Sequence, residues 1–329
     1  MDFLDNRPKD KPFALLLHFK APHDEWNFKK DYAGLFADED VPEPETLFDD
    51  YSTRGPGIKN ATQKIGQNHT FYEEETGKLK GDERKRAQYQ IYIKKYLRCV
   101  KSVDDNIGRL LKYLDDNGLA DNTIITYTGD QGFFLGEHGM YDKRFMYEES
   151  LRMPFLVRYP NGVKPGQVNT DITSNLDFAE TFLDYAGIDI PADMQGRSLR
   201  PLLEGNTPGN WRQSTYYRYW MHGAHFNVPG HYGIRTQDYK LICFYNKSLG
   251  HAGEELYPTG NWHFKGNNIV DGEPYWELYD LKEDPNELNN VYNDPGYSDI
   301  VKDLKQQLKQ LKIEYDDTDE QYPEMKGIL

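Results

Sequence analysis

Between residues 83 and 117 apolar side chains recur at three- and four-residue spacing: Tyr96, Val100, Val103, Ile107, Leu110, Leu111 and Leu114, with Gly118 directly after. That period gathers them on one face of a long helix, and the glycine supplies its stop. Short continuous apolar runs stand on either side. Lys11-Pro-Phe-Ala-Leu-Leu-Leu-His-Phe19 precedes the helix; Thr123-Ile-Ile-Thr-Tyr-Thr128 and Met153-Pro-Phe-Leu-Val-Arg-Tyr159 follow it. Runs of this kind, without polar alternation, fit strands buried on both faces. Strand, helix and strand in alternation predict an α/β fold: a mixed, mainly parallel sheet flanked by helices, with ligands at the carboxyl ends of strands.

Residues 37–83 carry Glu, Asp, Pro, Gly and Thr without periodicity and read as a surface excursion. Ser174–Gly187 reads as a capped helix, with Ser174 or Asn175 before it and Gly187 after it. Past residue 210 the texture changes to tyrosine-rich runs, Ser214–Trp220, His231–Thr236, Tyr239–Tyr245 and Tyr275–Tyr279, which predict an antiparallel meander. Ile300–Ile313 is a closing amphipathic helix. A length of 329 residues allows a large core with a satellite. The expected division is an α/β domain over 1–208 and a small antiparallel sheet with a helix over 209–329.

Acidic residues outnumber basic ones by 54 to 39, a net charge of −15, which argues against nucleic acid as a partner. Cys99 and Cys243 imply no disulfide framework. No apolar run is long enough to span a membrane, and the first residues have no basic leader followed by an apolar stretch. The 25 tyrosines are rings that stack on sugars or line a wet core. Adjacent carboxylates at Asp104 and Asp105 point about 100° apart on a helix and read as a solvated face.

Candidate chemistry lies at the strand ends. In Thr128-Gly-Asp-Gln-Gly132, Asp130 and Gln131 offer hard oxygens between glycines, suited to Ca²⁺ or Mg²⁺ rather than zinc. By residue type alone Asp130 fits a ligand or a turn-forming aspartate equally well. Lys143 returns on the same loop, where a cation beside a metal would neutralise a tetrahedral oxyanion. His23, after the first apolar run, is placed to donate a proton to a leaving oxygen.

The stretch "TGDQGFFLGEHGMYDKRFMYEESLRMPFLVRYP" resembles the signature of the sulfatase family, within the alkaline-phosphatase-like superfamily. "LLLHFKAPHDEW", "QGRSLRPLLEG" and "WELYDLKEDPNELNNV" resemble further family stretches in the same order, so the likeness covers essentially the whole chain. It implies an alkaline-phosphatase-like fold and hydrolysis of a sulfate ester on a sugar or glycosaminoglycan fragment, closest to the N-acetylglucosamine-6-sulfate type. It implies Asp130 and Gln131 as calcium ligands, Lys143 as a contact to sulfate and leaving-group oxygens, and His23 as a sulfate-binding general acid. Asp24-Glu25 departs from the family's Asp-Pro after that histidine. A C-terminal subdomain that closes over the site makes His225 and His231 candidates for substrate contact. A histidine in a tyrosine-rich sheet is also a common hydrogen-bonded core residue; that reading stands level for His231 and is preferred for His222. Glu137 and His138 are expected to orient the loop.

The family's nucleophile is a formylglycine made within Cys/Ser-x-Pro/Ala-x-Arg, and no stretch matches: Cys99-Val-Lys-Ser-Val103, Cys243-Phe-Tyr-Asn-Lys247 and Ser214-Thr-Tyr-Tyr-Arg218 all fail. The strand ending in the remaining metal carboxylates is also missing. The expectation is therefore the C-terminal portion of a sulfatase, inactive alone, with a periplasmic or secreted setting, lysosomal in an animal. A phosphodiester or phosphonate monoester hydrolase on the same scaffold, or a non-catalytic glycan-binding remnant, are the alternatives. Asn60-Ala-Thr, Asn68-His-Thr and Asn246-Lys-Ser match the glycosylation triplet.

Overall fold

The periodic stretch forms one helix, Gly81–Asp116, burying Tyr89, Tyr92, Ile93, Cys99, Val103 and Leu114. It ends as the glycine demands: Gly118 adopts φ +65°, and the amides of Gly118 and Leu119 bond back to the carbonyls of Asp115 and Leu114. The structure, a computed structural model, describes residues 1–67, 72–249 and 271–329. Asn68-His-Thr lies outside the described residues.

Two compact units interleave along the chain rather than meeting at one boundary. The first comprises residues 1–44, 65–126 and 157–162, the second residues 45–64, 127–156 and 163–329. In the first, Leu4, Leu114 and Ala120 form a small core with Phe13, Leu110, Tyr113, Leu119 and Ile125 packed against it. Gln90 clamps the backbone of Val41 with both its amide atoms, and Tyr89 donates to the Pro42 carbonyl. Asp105 accepts from Tyr32 at 2.8 Å and pairs with Lys101, as does Asp104, so both carboxylates are spent on a solvated helix face.

Two expectations are corrected. Residues 12–20 form no strand: the run has no ladder partner among the described residues, and Leu15, Leu16, Leu17 and Phe19 are exposed, Leu16 at 73%. An apolar run becomes a buried strand only where a neighbouring strand lends its edge, and none among the described residues does so. Residues 37–83 are not merely surface. Leu47, Ile58 and Ile65 are buried, and Tyr51, Ile58 and Ala61 belong to one core with Phe134, Phe145 and Tyr147. Their apolar residues are too sparse for a periodic signal, yet each fills a specific hole.

Strands β1 (Ile125–Thr128) and β4 (Phe155–Arg158) pair, and β2 (Phe134–Leu135) and β3 (Tyr141–Asp142) form a short antiparallel hairpin. The tyrosine-rich runs become β5 (Ser214–Tyr219), β6 (His231–Thr236), β7 (Tyr239–Phe244) and β8 (Tyr275–Asp280), an antiparallel sheet in chain order. Side chains alternate between its faces. Tyr232, Ile234, Leu241, Cys243 and Leu278 meet Leu304 and Leu308 of the helix Ser298–Glu314, while Ile242, Phe244 and Tyr279 meet Phe145, Met146 and Tyr147. This sheet is therefore buried on both faces, one by a helix and one by the loop that carries Lys143.

Candidate active site

The site is built on the hairpin β2–β3 and the segment after it. Gly132 opens the turn: a β-carbon there would stand 2.1 Å from the Glu149 carbonyl oxygen, and its amide bonds the Ser150 carbonyl at 2.9 Å. Lys143 sits between two residues with left-handed backbone, Asp142 at φ +72° and Arg144 at φ +103°. Non-glycine residues hold such angles only where their surroundings over-determine them. Here the Asp142 carboxylate accepts from the Lys143 amide at 2.7 Å, Gln63 donates to the Lys143 carbonyl at 3.0 Å, and Ser150 accepts from the Arg144 amide at 2.9 Å. Tyr217 donates to the Arg144 carbonyl at 2.9 Å. The Lys143 ammonium lies 3.6 Å from Asp142 and 5.5 Å from the centroid of the Phe133 ring.

The Phe145–Ser150 segment is then laid across the sheet residue by residue. Phe145 stacks on His231 at 6.1 Å, and Met146 fills the space over Gly233, where a β-carbon would meet its sulfur at 2.6 Å. Tyr147 donates to Glu277 at 3.1 Å. Glu148 pairs with Arg235 at 3.1 Å and with Lys240 at 2.9 Å, and its amide donates to Glu287 at 2.6 Å. Lys240 reaches Glu287 at 2.7 Å, both buried. Burial raises the Glu148 carboxyl, but Lys240 and Arg235 outweigh it and hold it down at about 2; for Glu287 burial wins over Lys240, and its pKa rises to about 7.

His138 anchors the other side. Its ring is fully buried, with Nδ1 2.8 Å from Asp49 and Nε2 3.7 Å from Glu149. Burial alone would keep the imidazole neutral, yet the two carboxylates outweigh it and raise the pKa to about 9, while both carboxyls are lowered. Its amide donates to Thr46 at 2.9 Å and its carbonyl accepts from Tyr51 at 2.5 Å, while Glu137 accepts from the Leu135 amide at 2.6 Å. These contacts orient the hairpin.

Each candidate residue has a definite place. Asp130 is exposed and Gln131 half-buried, just past β1, in the same unit as Lys143. Their oxygens suit a hard cation in kind and would offer two of the six to eight donors calcium takes. Among the described residues no three His, Cys, Asp or Glu side chains gather as a metal site. His23 lies in the other unit, half-exposed, with Nδ1 2.8 Å from the Lys20 ammonium and 3.0 Å from the Asp24 carbonyl. His225 is half-buried on the loop after β5, where its neighbour Phe226 packs under the Arg144 guanidinium at 5.4 Å and against Tyr141.

His231 is fully buried among Phe145, Tyr217, Tyr219 and Phe244, with Nδ1 2.7 Å from the Pro229 carbonyl; burial lowers its pKa to about 4. A ring with no exposed surface is a floor beneath the loop. His222 accepts from the Gly230 amide at 3.0 Å and closes its own loop.

Sequence reasoning missed Asp49, Arg54, Lys240, Glu277 and Glu287, all buried or nearly so. Arg54 joins Asp49 to the Glu287 carbonyl, and Glu277 collects Gly55, Tyr147 and Tyr279. A signal existed: Lys240 and Glu277 are charged residues inside otherwise apolar strand patterns, Tyr-Lys-Leu-Ile-Cys and Tyr-Trp-Glu-Leu-Tyr.

Comparison with known proteins is consistent along the chain. Residues 1–188 match the sulfatase family, and residues 136–273 and 250–314 match the C-terminal region of N-sulphoglucosamine sulphohydrolase. An N-acetylglucosamine-6-O-sulfatase of Bacteroides thetaiotaomicron is 40% identical over 97% of this chain and 61% of its own length. The Homo sapiens N-acetylglucosamine-6-sulfatase is 28% identical over 88% of this chain and 50% of its own. The chain thus spans only half to three-fifths of these relatives. A solved structure, described as a complex with its substrate D-glucosamine-2-N,6-O-disulfate, superposes with a TM-score of 0.85 at 39% identity, covering 99% of this chain and 69% of that one.

Proposed function

The chain belongs to the sulfatase family, and on that premise we propose that it serves hydrolysis of a sulfate ester on a sugar, of the N-acetylglucosamine-6-sulfate kind. The observation that carries this reading is the Lys143 ammonium lying over Phe133, two residues beyond Gln131, on a backbone fixed at both flanks. A cation so positioned meets an oxyanion without reorganising, which is where preorganised charge is worth most. The names of the 40% identical relative and of the superposed complex support a sulfated amino sugar as the substrate class.

In this reading Lys143 donates to the sulfate and to the bridging oxygen, balancing the charge that grows there as the S–O bond lengthens. His23, in the other unit, keeps only the proton-donor role that the family resemblance implies. Asp130 and Gln131 would hold calcium, a hard cation that adds positive charge beside the sulfate oxygens. His225 meets the sugar, and His231 stiffens the loop from below. None of the 329 residues forms the formylglycine motif, so these residues bind and orient a sulfate ester rather than attack it. We place the protein where such glycans are met, in the periplasm or outside the cell.

Calorimetric titration with N-acetylglucosamine-6-sulfate and with N-acetylglucosamine tests the reading. The sulfate is expected to add at least about tenfold in affinity, the worth of a charge-assisted hydrogen bond, and Lys143→Ala to remove that gain. Equal affinity for the two sugars, or a sulfate preference that survives Lys143→Ala, would overturn it.

A further inference from the structure

The side of the antiparallel sheet that faces the helix Ser298–Glu314 carries a cavity of about 340 Å³, lined on β5 and just after it by Arg218 and Trp220, and beyond the helix by Tyr315, Asp316, Gln321 and Tyr322. That volume lies in the range of small-ligand sites, about 300–1,000 Å³. Strand alternation separates it from Lys143. Tyr217 and Tyr219 point to the Phe145 and His231 face, while Tyr216 and Arg218 point to the other.

We propose that this cavity binds an uncharged saccharide ring. Its aromatic walls stand at different angles: Trp220 and Tyr322 meet at 64° with centroids 5.4 Å apart, and Tyr315 stacks on Tyr216 at 17°. A flat base calls for parallel walls, whereas a pyranose offers C–H patches on its faces and hydroxyls around its edge, which rings at an angle and side-chain amides accommodate together. Polar partners are at hand. Asp316 and Gln321 are exposed at the rim, with the Gln321 amide 2.9 Å from the Asp316 carbonyl.

The absence of charge on the ligand follows from the pairing. Among the described residues lining the cavity Arg218 is the one cation, paired through Nη1 with Asp317 and lying over the Trp220 ring, whose centroid is 3.4 Å from its guanidinium carbon, while Asp316 and Asp317 supply two carboxylates. Lys312 behind it is matched by Asp319 at 3.1 Å. A sulfate or phosphate would meet two carboxylates, Asp316 and Asp317, against the single cation Arg218. This site is therefore chemically the opposite of the Lys143 site and suits an unsulfated unit of a glycan.

The probe is N,N′-diacetylchitobiose, an uncharged disaccharide, followed by tryptophan fluorescence and saturation-transfer NMR on the whole chain. Binding with a Kd of about 1 mM is expected, weakened at least about tenfold by Tyr315→Ala and by the exposed-site variant Gln321→Ala, and unchanged by Lys143→Ala. Circular dichroism identifies any variant that loses its fold, and Gln321→Ala then decides. No binding at about tenfold that concentration, or binding lost in Lys143→Ala but kept in Gln321→Ala, would overturn the proposal. The sulfate-ester reading is tested separately, since it depends on the response to sulfate and to Lys143.

Discussion

A buried imidazole between two carboxylates titrates far from where a free one does, and His138 shows the consequence for a single residue. Its folded pKa of about 9 lies above its ordinary 6.5, so the folded state holds a proton that the unfolded state releases between these values. Stability from this group is fully present below pH 6.5 and is lost as pH rises through 9. The shift corresponds to about 3 kcal/mol. Denaturant titrations across this window should show the decline, and His138→Gln should flatten it. Glu287, raised to about 7, contributes its own decline at lower pH, between 4.5 and 7, which that variant leaves in place. A flat wild-type profile above pH 7 would remove the buried imidazolium from the account.

Among the elements, the tie between the Phe145–Ser150 segment and the sheet depends on charges that are costly to bury. Lys240 serves both Glu148 and Glu287. Removing it strands the buried Glu287 and leaves Glu148 with Arg235 alone, which costs about 3–5 kcal/mol. Lys240→Met should lower unfolding stability by that amount, and the deficit should shrink as acid protonates the stranded Glu287. A deficit independent of pH would mean that lost packing, not charge, is responsible. The same variant should loosen the Lys143 loop, because Glu148 lies five residues along from Lys143.

For the whole molecule, the chain combines an anchored Lys143, two hard-oxygen donors at Asp130 and Gln131, and no formylglycine motif. Purified residues 1–329 should therefore bind sulfated sugar yet release no sulfate from an aryl or sugar sulfate ester. Sulfate release that Lys143→Ala abolishes would show that another group on this chain performs the attack. Among the described residues no helix is long and apolar enough to cross a membrane.

Local patterns were enough for much of this. The period of residues 83–117, the alternation in the tyrosine-rich strands and the Gly-Asp-Gln-Gly and Tyr-Glu-Glu-Ser stretches each carry their meaning within a few residues, because helix period, strand alternation and turn chemistry are local properties. The family resemblance rests on the same short stretches. Burial and charge state are not local. Only the tertiary structure decided that the run at 12–20 lacks a strand partner, that His231 is a neutral core ring while His138 is a buried cation, and that Asp49, Lys240 and Glu287 hold the Lys143 loop. Those outcomes depend on what stands across space from each side chain, in several cases more than a hundred residues away along the chain.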